Sequence, residues 1–161
     1  MPVLHHDGKL INQSIPILKY VGRIYGYYPT DPYDGWRVDS LHDALNDLIT
    51  ALLKVRQEKD EAKKKELFLA FISTTFPQTL AKFEKRLTTN SSQHFFVGDK
   101  LSTIDFHIVS SILSIAYNEH NLQAPIFKSV LDTVPVLKAY FELHVNETFK
   151  EYIASRPASD F

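Results

Sequence analysis

Cysteine is absent from the 161-residue sequence, so no disulfide, thiolate metal site or cysteine nucleophile is available. Neither sign of charge dominates: 18 basic and 19 acidic residues leave a net charge of −1, which argues against a nucleic-acid partner. No run approaches the roughly 18 apolar residues of a membrane-spanning helix, and the N-terminal residues lack the apolar stretch of a secretory signal. We therefore expect a protein of the cytoplasm or another reducing intracellular compartment, without membrane insertion.

The chain does have enough apolar side chains, 44% of residues, to bury a core. Near its start, Val3-Leu4 and Leu10-Ile11 flank a segment that contains Asp7-Gly8. Asp-Gly accepts the positive φ angles that hairpin turns need, so we predict a small antiparallel hairpin. Ser14 is then expected to cap a helix from Ile15 to about Gly26, because serine is a favoured N-cap.

A segment with two prolines, from Tyr27 to Gly35, predicts a break between two parts of the chain. We place one unit at residues 1–28, a linker at 29–35 and a helical unit at 36–161. No strand pattern recurs after this break. The expected fold class is therefore mainly α.

Apolar residues beyond the linker repeat at helical spacing. Steps of four and three predict a first long helix through Leu41, Leu45, Leu48, Leu52 and Val55, and a second through Phe76, Leu80, Phe83 and Leu87. We expect these helices to pack antiparallel and Pro77 to kink the second one. The charged residues 58–66 between them predict a solvated helix end or turn.

The third helix of this unit has the strongest start signal. Ser102 and Asp105 have the spacing of a capping box, and residues 106–118 carry no formal charge. A helix that is apolar nearly all round is expected to cross the centre of the core. Further helices are predicted from about Pro125 to Asp132, from Pro135 to Val145, and from near Glu147 to Arg156.

Several other polar or aromatic residues are candidate functional sites. His5, His6 and Asp7 are residues of types that bind metal ions. Adjacent turn residues point in different directions, however, so we interpret these three as solvated and expect no metal site. His107 is expected to be packed in its apolar helix. For Trp36 packing in the core or linker is the expectation, and a pocket wall is the alternative. No motif indicates a required cofactor or a rival active site.

Four segments together resemble the glutathione transferase superfamily, nearest to its cytosolic sigma, alpha and mu type members. They are Met1-Pro2-Val3-Leu4 with Asp7-Gly8, Gln13-Ser14 with 17–21, Val97 to Phe106, and Val134 to Lys138 with Tyr152 to Pro157. The resemblance implies an all-helical C-terminal domain, preceded by a β-hairpin and helix that are a remnant of the family's thioredoxin-like domain.

The same resemblance implies glutathione-binding residues, with glutathione as a substrate or a weak ligand. Pro2 stands where the family has a cis proline, and Met1 stands where the residue before that proline pairs its backbone with glutathione. Gln13 and Ser14 stand where the family holds the γ-glutamyl end. A serine hydroxyl and the positive end of a helix both favour a carboxylate. Asp47 stands where an acidic residue reaches the ligand across the family's dimer.

The family's activating tyrosine, serine or cysteine precedes these segments, and no position of this sequence matches it, so the resemblance leaves no catalytic residue here. A thiol with a pKa of about 8.5 is mostly protonated at neutral pH without that group. We therefore expect a non-catalytic scaffold or structural subunit of a larger assembly. The alternative is a fragment of an active transferase that conjugates glutathione to hydrophobic electrophiles, with Met1 an internal residue. A partner protein or a second copy, as in a homodimer, is expected to cover the hairpin edge.

Overall fold

The computed structural model describes residues 2–157 of the chain. In this part, two strands are followed by eight α-helices and two π-helical turns. The strands are β1 (Val3–His6) and β2 (Lys9–Asn12). The α-helices are α1 (Ser14–Ile24), α2 (Pro32–Gln57), α3 (Glu61–Ala70), α4 (Phe76–Thr88), α5 (Thr103–Ala116), α6 (Ala124–Leu131), α7 (Pro135–Leu143) and α8 (Lys150–Ser155). The mainly α prediction is confirmed, and none of the described helices has the length and apolar character needed to cross a membrane.

The predicted hairpin is present, with β1 and β2 antiparallel and Val3 opposite Asn12. Asp7 and Gly8 form its turn with φ angles of 49° and 70°. Two successive positive φ angles are typical of the two-residue turn whose twist matches that of the strands. Val3 and Leu10 remain 48% and 69% exposed, so part of the apolar surface of the hairpin is uncovered.

Two predicted helix starts are wrong. Ser14 is the first residue of α1 and not its cap; Gln13 precedes it with a φ of 71°, and no side chain caps the helix. α2 begins at Pro32, inside the predicted linker at 29–35 and four residues before Trp36. Its cap is Asp31, whose carboxylate accepts hydrogen bonds from the Tyr33 and Asp34 N–H groups. Proline is favoured at the first position of a helix, so Pro32 is compatible with a helix that starts there.

The core is built around α5, which packs against α1, α2 and α6. The two predicted leucine and phenylalanine stripes, on α2 and α4, are buried as expected. Two further helices, α6 and α7, close the core with Phe127, Leu131, Leu137 and Phe141. Glu84 links α4 to α7, because its carboxylate accepts the Val136 N–H at 2.7 Å near the start of α7.

A π-helical turn, Phe71–Thr75, lies just before α4, and Pro77, where a kink within the helix was predicted, lies in the first turn of α4. Phe76 donates its N–H to the carbonyl of Phe71, five residues earlier, so both rings face the core and stack at 5.8 Å. A second π turn, His144–Thr148, follows α7 and pairs His144 with Phe149 in the same way. The last helix therefore starts at Lys150, later than its predicted start near Glu147.

The hairpin unit is joined to the helical core at Gly22, the one buried residue of α1. A Cβ atom built on Gly22 would overlap the Thr103 side chain of α5. The carbonyl of Gly22 accepts the Tyr27 N–H, and the carbonyl of Tyr27 accepts the Thr103 N–H at 2.8 Å. α1 can therefore lie directly on the start of α5 only because residue 22 has no side chain.

We expect Gly22→Ala to destabilise the protein by about 1–3 kcal/mol, the usual cost of overpacking a tight contact. Gly35→Ala is the matched control, because Gly35 is also buried and helical but its added Cβ would meet Tyr28 at an ordinary 3.5 Å. Urea unfolding followed by circular dichroism measures both variants. Equal stability of Gly22→Ala and Gly35→Ala would contradict the close approach at Gly22.

Candidate functional site

The first candidate site is the turn from β2 into α1. Gln13 leaves the strand with φ 71° and ψ 126°, a conformation that is strained for a residue with a side chain. Gln13 and Ser14 are both exposed. The first N–H groups of an α-helix have no acceptor within the helix, and the helix dipole places partial positive charge there. This exposed turn can therefore receive a carboxylate.

The other predicted ligand residues are not gathered around this turn. Pro2 is exposed just before β1, and Met1, with its peptide bond to Pro2, lies outside the described residues. Asp47 is exposed in the middle of α2 and forms no ion pair or hydrogen bond with residues 2–157. α1 is tied to α2 two turns earlier, where Lys19 Nζ lies 3.0 Å from Asp39 Oδ1. Within one chain, Gln13 and Ser14 are adjacent at the start of α1, whereas Asp47 lies on a different helix, α2.

Two tyrosine hydroxyls of this region have partners of their own. Tyr20 on α1 forms a hydrogen bond with Nδ1 of His6 at 3.0 Å. Tyr28 donates to Asp39 at 2.9 Å, and Arg23 lies over its ring at 4.2 Å. Burial, and then the hydrogen bond to Asp39, raise the pKa of Tyr28. A phenol with a raised pKa is a weaker hydrogen-bond donor, which disfavours Tyr28 as a thiolate-activating group.

Two histidines meet where α1, α2 and α5 join. His42 is fully buried on α2, and its Nδ1 lies 3.0 Å from Nδ1 of His107 on α5. The other ring nitrogen of His42 lies 3.1 Å from the Thr103 hydroxyl. One ring must donate and the other accept between the two Nδ1 atoms, so the two rings cannot both be charged. Burial lowers the pKa of His42 to about 3, with the neighbouring His107 as the next cause, and burial lowers that of His107 to about 4.

The predicted capping box at the start of α5 is part of a larger hydrogen-bond network around Asp105. Asp105 is fully buried and accepts the Ser102 N–H and the Ser102 hydroxyl, both at 2.8 Å. Its other oxygen accepts the Phe96 N–H and the Tyr140 hydroxyl, at 3.1 and 2.8 Å. The Ser102 hydroxyl thus donates to the carboxylate, while the Asp105 N–H bonds to the Ser102 carbonyl. One carboxylate joins the 96–102 loop, α5 and α7.

The structure also gives the positions and contacts of the other candidate residues. Among the described residues, no group of three histidine, aspartate or glutamate side chains is arranged to hold a metal ion. His5 is exposed, and His6 faces Tyr20. Trp36 does not pack in the core: its ring is 52% exposed and stacks on Tyr33, a residue of the predicted linker, at 5.4 Å. Trp36 is exposed because α2 begins before it, which places it on the outer side of the first turns.

Comparison with known proteins identifies the family. Residues 46–156 match the family model for the glutathione S-transferase C-terminal domain. The chain is 32% identical over 149 residues to glutathione S-transferase 2 of Manduca sexta, covering 88% of this chain and 72% of that protein. It is 34% identical over 152 residues to glutathione S-transferase P of Bos taurus, covering 92% and 66%. The chain belongs to the glutathione S-transferase family.

A solved transferase-fold structure agrees with this assignment. The structure of prostaglandin synthase D of Nilaparvata lugens superposes with a TM-score of 0.82 at 27% identity. The match covers 99% of this chain and 75% of that one. The chain thus spans between two thirds and three quarters of the length of these proteins. The predicted family and fold are confirmed, including the hairpin and helix before the helical domain.

Sequence reasoning missed two polar residues of this transferase-family fold. His42 was not singled out, although it follows Leu41 and precedes Leu45 on the apolar stripe of α2. That position on the buried face was the available signal. Asn90 was also missed as a structural residue: its amide donates to the carbonyls of Ser92, Phe95 and Gly98, and its oxygen accepts from Arg37. No helical or strand period marks a residue whose partners lie in an irregular loop.

We expect Asp105→Ala to destabilise the protein by at least about 3 kcal/mol, because it leaves several buried donors without an acceptor. Tyr140→Phe removes one donor and leaves the carboxylate its other three, so it should cost only about 1 kcal/mol. Chemical denaturation of both variants tests this ratio. Similar losses from the two substitutions would show that Asp105 does not hold the network together.

Acid should destabilise the fold through His42 and His107. Their pKa values are about 3 and about 4 in the folded protein, against an ordinary 6.5, so the unfolded chain binds more protons below pH 6.5. Stability is therefore lost as the pH falls from 6.5 towards 4, by up to about 1.4 kcal/mol per pH unit for each ring.

Urea unfolding at a series of pH values measures this slope. The His42→Asn, His107→Asn double variant should reduce it between pH 6.5 and 4, while buried His144, whose pKa burial also lowers, retains part of the slope. His5→Asn, a change on the exposed hairpin, is the control and should leave it unchanged. An unaltered slope in the double variant would assign the acid sensitivity to other groups.

Proposed function

We propose that this chain is a glutathione-binding subunit of a larger assembly and does not itself activate the glutathione thiol. One observation supports glutathione binding: the strained Gln13 is followed by the exposed Ser14 at the start of α1. A backbone conformation of this kind costs on the order of 1–3 kcal/mol and is common in ligand-binding turns. Family membership supports glutathione, through its γ-glutamyl carboxylate, as the ligand received there.

The proposal that the chain does not activate the thiol is supported by three tyrosine hydroxyls that are already engaged. A glutathione thiol needs a donor that stabilises its ionised form, because the thiolate is the nucleophile. Among residues 2–157, the hydroxyls of Tyr20, Tyr28 and Tyr140 are bonded to His6, Asp39 and Asp105. Burial, and then the negative charge of Asp105, raise the pKa of Tyr140 well above its usual value. These phenols are fixed parts of the fold and support no activating role.

The subunit role is supported by the hairpin. β1 and β2 form a two-stranded sheet whose outer edges have no strand partner among the described residues. Such a sheet is marginal without further strands, and unpaired edges readily accept another chain. Exposed Val3 and Leu10 add apolar surface to the same hairpin. We infer that the hairpin is covered by a partner protein or by a second copy of this chain.

The turn at Gln13 and Ser14 also supports a second function. Gln13 and Ser14 stand where the resemblance to the transferases implies contacts with the γ-glutamyl end, so the chain also fits as the larger part of an enzyme that conjugates glutathione to hydrophobic electrophiles. In that case Asp47 contributes from a second subunit, as its exposed position on α2 permits. The two functions differ in turnover and not in glutathione binding.

Titration calorimetry with glutathione and a conjugation assay with a chlorinated aromatic electrophile separate these functions. We expect Ser14→Ala to weaken glutathione binding about 10-fold or more, the loss of one hydrogen bond to a charged group. Ser129→Ala, an exposed serine on α6, is the control and should bind as the unaltered chain does. We expect conjugation at the uncatalysed rate.

Unchanged affinity in Ser14→Ala would exclude the α1 start as the binding site. Conjugation well above the uncatalysed rate would overturn the non-catalytic role and establish the enzyme.

A further inference from the structure

Two histidine rings lie where the hairpin unit is attached to the helical domain. His42 on α2 and His107 on α5 bring their Nδ1 atoms within 3.0 Å of each other, and the other ring nitrogen of His42 lies 3.1 Å from the Thr103 hydroxyl. Neither ring is bonded to a carboxylate within residues 2–157. No acidic partner therefore offsets a positive charge on this pair.

The contact between the two rings depends on how many protons they carry. A hydrogen bond between two Nδ1 atoms needs one N–H and one lone pair, so the intact contact accepts at most one added proton. A second proton places two N–H groups and two positive charges opposite each other at 3.0 Å. His42 is also fully buried, so a charge on its ring loses its hydration. Acid therefore disrupts the contact between α2 and α5 at this point.

The charged side chains around His42 do not stabilise its protonated form. Lys19 on α1 lowers the pKa of His42, and Asp39 on α2 raises it by a smaller effect. Asp39 already forms an ion pair with Lys19 at 3.0 Å and accepts the Tyr28 hydroxyl at 2.9 Å. The carboxylate that favours protonation of His42 thus has two other partners.

Solvent reaches the pair through His107. This residue is half-buried and lines a cavity between α1, α5 and α8, together with Leu18 of α1. The other titratable side chains on the lining are Tyr152 and Arg156, which at acid pH are neutral and positive. A proton can therefore enter at His107, and neither neighbour in the cavity stabilises the charge that results.

The attachment of α1 to the helical domain is slight and lies at the same place. No side chain of the hydrophobic core belongs to α1, whose one buried residue is Gly22, packed against Thr103. The Tyr27 carbonyl, just after α1, accepts the Thr103 N–H, and the Thr103 hydroxyl contacts His42. Segments with few buried apolar contacts open at a lower free-energy cost than the whole domain. Loss of the contact at His42 should therefore free α1 first.

We propose that the pair formed by His42 and His107 is an acid-sensitive switch, which releases α1 and the hairpin from the helical domain while α2 and α4 to α7 remain folded. Thr103 transmits the change, because it contacts His42 through its hydroxyl and α1 through its methyl group and backbone N–H. The release also displaces Gln13 and Ser14. A loss of glutathione binding in acid follows, and this consequence alone rests on the proposed function.

Hydrogen exchange of the full chain, measured by mass spectrometry at a series of pH values, tests the release. The protection of α1 is compared with that of α4, because the ratio removes the pH dependence of the intrinsic exchange rate. As the pH falls from 6.5 towards 4, we expect this ratio to fall by up to about 10-fold per pH unit for each ring. Parallel loss of protection in α1 and α4, or full protection of α1 at pH 4, would overturn the proposal.

One substitution assigns the release to the pair. His107→Asn leaves a neutral polar side chain beside His42, so α1 should stay protected to a pH about one unit lower than in the unaltered chain. His5→Asn is the matched control, because His5 is exposed on the hairpin and its loss should leave the midpoint of release unchanged. Equal midpoints in His107→Asn and the unaltered chain would contradict the role of the pair.

Nuclear magnetic resonance gives a readout that needs no altered chain. The ring nitrogen signals of His42 and His107 and the backbone amide signals of α1 should change with one common midpoint, and separate midpoints would contradict the switch. Calorimetry with glutathione at neutral pH tests the proposed function by itself. Absence of binding there leaves the exchange result standing, so failure of the switch and failure of the glutathione site are separate results.

Discussion

The buried carboxylate of Asp105 is the interaction on which the helical domain depends. Four hydrogen bonds reach it, from the Ser102 N–H and hydroxyl, the Phe96 N–H and the Tyr140 hydroxyl. A charge out of water is tolerated only when its hydrogen-bonding capacity is filled, so these partners must all be in place together. Formation of the start of α5 therefore also fixes the loop before it and the position of α7. The apolar surfaces of α2, α4 and α6 can then pack around a helix whose position is already set.

The start of α5 also fixes the hairpin unit. Thr103, the first residue of α5, donates its N–H to Tyr27, contacts Gly22 and hydrogen-bonds His42. The neutral pair of His42 and His107 lies directly behind this contact. One turn of helix thus positions both the core and α1, whose first residues are the proposed glutathione-binding turn. A change at Thr103 or Gly22 would shift that turn without touching any ligand.

The exposed turn at Gln13 and Ser14 offers backbone N–H groups and a hydroxyl, which suit the polar end of a peptide-like ligand. The position of this turn depends on the contact between α1 and α5. The apolar cavity between α2, α4 and α5 depends instead on the π turn that places Phe71 beside Phe76.

Local signals in the sequence determined the hairpin, the long apolar stripes of α2 and α4, and the start of α5, because each depends on residues a few positions apart. They also carried the resemblance to glutathione transferases. Asp31 and Pro32 are also a local start signal for α2, and the linker prediction did not use it. Only the tertiary structure decided that Gln13, not Ser14, occupies the cap position of α1. It alone placed His42 against His107 and Tyr140 on Asp105. Those pairs are 65 and 35 residues apart, and no periodicity in a sequence specifies which distant side chains share one buried site.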